Sequence, residues 1–213
     1  MNTTELKDVV RQEVYDTVAP YLWSDALIYT YIDDAQKQFC RETDGIEDSR
    51  SFKVAVKADG TVWYAIDPRI LKIRDAADTL TGRPVPLVAV EKMADHGMYF
   101  DGAVGPVRAF ITGMEKGYVR AFPTPNVASV VELRTYRLPS DVVAGDDFEI
   151  DAHHTLNLSM WVKHRLYSVQ DAETRDDKKA AEFYEAFHNY CQRSKSEQGR
   201  LRRPVSTVTY GGY

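Results

Sequence analysis

The residues of this chain that could do chemistry are five histidines, three side-by-side aspartate pairs, two cysteines and a group of arginines near the C-terminus. His153 and His154 are neighbours. On a helix their side chains leave the axis about 100° apart, a poor arrangement for two ligands of one ion. His153 and His164 share a helix face but stand roughly 16 Å apart along the axis. Spacing therefore predicts neither a metal site nor a cofactor, and convergence of Asp151, His153 and His154 in a closed pocket would be the sign of an enzyme. Asp33-Asp34, Asp146-Asp147 and Asp176-Asp177 fall at expected helix ends or on polar faces, where solvation and the helix dipole account for them. There is no glycine-rich loop between a strand and a helix, no Cys-x-x-Cys, no His-Glu-x-x-His and no Gly-x-Ser-x-Gly. No catalytic residue is assigned. Arg200, Arg202 and Arg203 could grip phosphate or pair with acidic residues of a protein partner.

The elements that carry these residues follow from periodicity. Leu6, Val9, Val10 and Val14 predict a helix from Thr4 to Val18, stopped by Pro20. Ser24 is an N-cap for a second helix with the face Leu27, Ile28, Tyr31, Ile32, Ala35 and Phe39, and Gly45 follows its end. From Phe52 the period falls to two. Phe52, Val54 and Val56 alternate with Lys53, Ala55 and Lys57; Ala58-Asp59-Gly60 marks a turn, and Thr61 to Ile66 reads as the return strand of a hairpin. Further strands are expected at Ile70–Ile73, Val107–Thr112, Tyr118–Phe122 and Val127–Leu138, with loops over 75–83 and 98–106. A third helix is expected from Asp151 to Val169. A fourth, from Asp176 to Ser194, has the stripe Ala180, Phe183, Tyr184, Phe187, Tyr190 and Cys191. Tyr31, Phe39, Trp161, Tyr184 and Phe187 are the expected core or subunit contacts.

The fold class is therefore α+β. About four helices form a bundle from residues 1–48 and 145–196, an antiparallel β region (49–144) is inserted, and an extended arm (197–213) follows. That arm has no helical period, and Val205, Thr207 and Thr209 alternate with Ser206, Val208 and Tyr210. Alone it has nothing to cover its sides; on a partner its main chain could add as a strand to a sheet edge. Length of 213 residues and 44% hydrophobic content suit a domain with a real core. The net charge of −5 lacks the basic surplus of a nucleic-acid binder. No apolar run approaches the roughly 20 residues of a membrane span, and Met1 to Asp8 does not read as a leader, so synthesis in a cytoplasm is expected. Cys40 and Cys191 read as core-facing thiols.

The order of these parts carries a resemblance. Trp23-Ser24-Asp25-Ala26-Leu27-Ile28 followed by Asp33-Asp34-Ala35-Gln36, then Pro68-Arg69-Ile70-Leu71-Lys72-Ile73, Gly105-Pro106-Val107, Phe122-Pro123-Thr124-Pro125, Tyr136-Arg137-Leu138-Pro139, His153-His154, and Asp171-Ala172-Glu173-Thr174 with Lys179-Ala180-Ala181-Glu182-Phe183, resembles the tailed-phage head–tail adaptors, the connector or tail tubular A-like proteins. The likeness runs from about Trp23 to Tyr190; the segment Met93 to Phe100 lacks the family's usual tryptophan. It implies a structural virion protein without catalysis or cofactor. Such a protein sits in the neck as a homo-oligomeric ring, commonly twelve-fold, below the portal protein and above a tail or nozzle protein, with genomic DNA passing through unbound. The arm residues Arg200, Arg202, Arg203, Val205, Val208, Tyr210 and Tyr213 would then meet the portal. Another neck, tail-completion or baseplate protein, or a small soluble enzyme, remains the alternative.

Overall fold

The computed structural model describes residues 1–99, 102–169 and 175–202. The chain divides into two compact units, Met1–Asp44 with Pro139–Tyr213, and Gly45–Leu138.

The first unit is helical. Helix α1 (Thr3–Glu13) opens with a capping box in which the Asn2 side chain accepts from Glu5 N and the Glu5 carboxylate accepts from Asn2 N. Helix α2 (Asp25–Thr43) starts at the N-cap Ser24, whose hydroxyl accepts from Leu27 N at 3.3 Å. The chain returns through residues 139–150, which are tied to both helices. Thr3 N donates to Asp146 O at 2.9 Å and Gln36 Nε2 to Ser140 O at 3.0 Å. Then come α3 (Ala152–Thr155), α4 (Leu158–Tyr167) and α5 (Asp177–Arg202). Leu6, Val10, Ile28, Ile32, Leu158, Val162, Leu166 and Phe187 are fully buried.

Three expectations need correction here. Helix α1 ends at Glu13, five residues early, because Tyr15 takes a left-handed conformation (φ 59°). The expected third helix is broken at Leu156–Asn157, where i→i−3 hydrogen bonds (Asn157 N to His154 O at 3.0 Å, Ser159 N to Leu156 O at 3.1 Å) tighten the path into a 3₁₀-like turn. The expected extended arm begins inside a helix: α5 runs to Arg202, because Lys195, Glu197, Gln198 and Arg200 are good helix formers and Gly199 is tolerated among them. Pro204 disfavours helical backbone at the residue before it, which fits the end.

The second unit is β. Strands β1 (Ile46–Val56), β9 (Ser129–Arg137) and β3 (Ile70–Asp78) form an antiparallel sheet in that order. Strands β2 (Trp63–Ala65), β7 (Tyr118–Phe122), β6 (Ala109–Thr112) and β4 (Leu87–Ala89) form a second sheet, and β5 (Val104–Gly105) pairs with β8 (Thr124–Pro125). Phe52, Val54, Val56, Tyr64, Ala76, Phe110, Val119, Val131 and Leu133 make one buried core from both larger sheets. The β region is not wholly antiparallel: β4–β6 and β5–β8 run parallel. Residues 90–108, with two single-turn 3₁₀ segments, give the first of these pairs the long crossover that parallel strands require. The expected hairpin is also replaced, since β1 pairs with β9 while β2 pairs with β7. The turn itself is real, with Thr61 N donating to the Asp59 carboxylate at 2.9 Å.

Strand β1 is bulged between Asp48 and Phe52, and the Asp48 carboxylate fills the gap. It accepts from Ser51 N at 2.9 Å, Arg50 N at 3.1 Å and Arg137 Nε at 2.8 Å. Burial works against its charge, yet the Ser51 and Arg50 amides and Arg137 outweigh burial and hold the carboxyl well below the usual range. Gly45 (φ 85°) leads into this strand, and a Cβ there would stand 2.7 Å from Arg137 O.

Candidate interaction surface

The segment between α1 and α2 is the most unusual surface of the helical unit. Tyr15 N donates to Gln12 O at 3.3 Å and Asp16 N to Arg11 O at 2.9 Å, which is a Schellman motif. The left-handed position of that motif favours glycine, and here it holds a tyrosine that is 92% exposed. Val18, Tyr21 and Leu22 beside it are also exposed.

This apolar loop is held from beneath. Arg11 is 6% exposed and joins the Asp16 and Asp25 carboxylates, while its Nη2 donates to Trp23 O at 2.9 Å. Asp16 is buried as well and accepts from Leu22 N at 2.9 Å. The guanidinium lies over the Tyr21 ring at 4.0 Å. A fixed fork of five donors is suited to tying carboxylates and a carbonyl from both sides of a turn together. The Arg11 and Lys7 bonds outweigh burial and hold Asp25 below its ordinary range.

The expected core or subunit residues divide. Phe39, Trp161 and Phe187 are buried, with the Trp161 and Phe187 ring centroids 5.1 Å apart. Tyr31 is half-buried beneath Arg165, and Tyr184 is 45% exposed. Trp161 Nε1 donates to Asp34 at 2.8 Å, joining α4 to α2. Of the expected portal-binding residues, Arg200 is exposed on the last turns of α5 and Arg202 is its final residue. Arg203, Val205, Val208, Tyr210 and Tyr213 lie outside the described residues.

Asp151, His153 and His154 do converge, with ligand atoms within 4.8 Å of one another. Two assumptions behind the spacing estimate fail. Asp151 is an N-cap with ψ 136°, not a helical residue. The two imidazoles also turn toward each other until their centroids are 3.8 Å apart. Asp151 and His153 are exposed, so the group lies at the surface and is not the closed pocket of an enzyme. A second polar group lines an open cleft of about 370 Å³ with Asp33, Lys37 and Asp141. Burial works against the Lys37 charge, but Asp141 and Asp33 outweigh it and hold the ammonium above its usual range, the reverse of what a lysine nucleophile needs.

The exposed apolar loop around Tyr15 is thus anchored by the buried Arg11–Asp16 pair. Across residues 1–208 the chain matches the family model described as SU10 adaptor protein, and it belongs to that family of bacteriophage head–tail adaptors. It is thus a structural protein of the virion. A comparison with curated proteins gave no match. No helix among the described residues is long and apolar enough to cross a membrane. The sequence pattern missed the Tyr15 loop, since no glycine, proline or charge marks Tyr15 as a left-handed residue.

Proposed function

We propose that this chain is the repeated subunit of a non-enzymatic ring in the virion neck. The ring is twelve-fold, lies below the portal protein and meets a tail or nozzle protein on its other side. The observation that carries this reading is the family match over residues 1–208. The helical unit supplies the ring body, and a cyclic ring needs a closed contact between unlike patches of neighbouring subunits. The Tyr15 loop supports one such patch. A bulky residue in left-handed backbone costs about 1–3 kcal/mol, and strain of this kind persists at sites of function. With Tyr15 92% exposed, burial of its own side chain does not offset that cost.

The β unit faces the tail component or the outer surface, and the C-terminal segment from Gly199 to Tyr213 binds the portal. A net charge of −5 suits a channel that passes DNA without retaining it, because phosphate is repelled. Truncation after Gln198 tests the portal contact by pull-down on purified portal protein. The truncated chain is expected to stay folded and to lose binding; unchanged affinity would overturn this assignment.

A further inference from the structure

We propose that Asp151, His153 and His154 form a binding site for a borderline divalent transition-metal ion of the Zn²⁺ type, at the turn that opens the α3–α4 segment. The ligand set is two imidazoles and one carboxylate, which Zn²⁺ accepts readily and which suits Mg²⁺ and Ca²⁺ poorly, since those ions prefer oxygen alone. The three ligand atoms already lie within 4.8 Å of one another. Tetrahedral ligands at about 2.0–2.1 Å from an ion stand about 3.4 Å apart, so closure of the widest pair needs up to about 1.4 Å of adjustment. The exposed Asp151 and His153 side chains can make that movement while buried His154 stays in place.

His154 is fixed by its neighbours. Its Nδ1 lies 2.7 Å from the Tyr190 hydroxyl on α5, and its ring packs 4.7 Å from that of Phe39 on α2. When Nδ1–H donates to Tyr190, Nε2 presents its lone pair to the ion; an outer partner fixing the tautomer is usual for metal-bound histidine. Glu197 adds negative charge from α5. An ion held here would pin α3 through His154 and Tyr190 to the middle of α5. Its fourth position is left for water.

Isothermal titration of the chelator-treated full chain with ZnCl₂ is the test. The expected result is one ion per chain, no heat with MgCl₂, and a raised melting temperature. His153→Ala and Asp151→Asn alter exposed side chains, so their metal-free melts should match the parent, yet each should weaken Zn²⁺ by more than tenfold. Tyr190 is a positioning residue: Tyr190→Phe keeps all three ligands and should weaken the ion about tenfold while leaving the visible spectrum of bound Co²⁺ unchanged in shape. Failure of the parent chain to bind Zn²⁺, or equal binding by His153→Ala, would overturn the site.

Discussion

The two units use charge in opposite ways. In the helical unit Arg11 and Asp16 are buried, and their pairing sets the path of a loop. In the β unit the outer face of the β1–β9–β3 sheet carries cross-strand pairs between register partners, Lys53 with Glu132 at 3.8 Å and Arg134 with Asp75 at 3.4 Å. These are exposed or half-exposed and help keep one face of the sheet wet. Buried pairs fix a shape at a large cost if half is removed; surface pairs can be exchanged almost freely. Evolution can therefore vary the sheet face, whereas the Tyr15 loop and its arginine must change together.

Substitutions can break or sharpen this contrast. Arg11→Ala leaves Asp16 buried without its partner and should cost about 3–5 kcal/mol by chemical denaturation. Asp48 is the intermediate case, a half-buried carboxylate in the β unit, and Asp48→Ala should cost about 1.5–3 kcal/mol, chiefly for the charged bond lost to part-buried Arg137. Its folded carboxyl lies below the unfolded value of about 3.9, so the unfolded state binds more protons as acid is added. That stabilisation is complete at neutral pH and is lost as pH falls below about 4; the gap between parent and Asp48→Asn in denaturant midpoint should narrow over the same range.

Smaller effects follow. Tyr15→Gly should relieve about 1–2 kcal/mol of left-handed strain against about 0.5–1 kcal/mol of added chain entropy, giving a slightly higher melting temperature. A fall in stability would mean that the tyrosine packs within its own subunit. Lys53→Ala should change stability by less than about 1 kcal/mol. If it costs as much as Arg11→Ala, the contrast between the units is wrong.

Much of the fold was legible in the residues. Ser24 capped the helix it was expected to cap, and Tyr118–Phe122 and the long strand ending near Leu138 followed their alternation. Alternation fixes which face of a strand is buried but says nothing of its partner. A genuine turn at Asp59-Gly60 therefore suggested a hairpin between strands that lie in different sheets. The metal cluster was hidden for a related reason. Helical spacing places Cβ atoms, while the N-cap backbone of Asp151 and two rotatable rings decided where the ligand atoms met. Arg11 gave no signal, because its partners lie across a turn whose shape it helps to create.

Native mass measurement of the purified chain mixed with portal protein tests the central claim most directly. The account predicts a closed adaptor ring on the portal, with ring formation lost when Tyr15→Gly is combined with Tyr21→Ser and Leu22→Ser while the subunit stays folded. A chain that remains monomeric on mixing, or a triple variant that assembles as well as the parent, would contradict it.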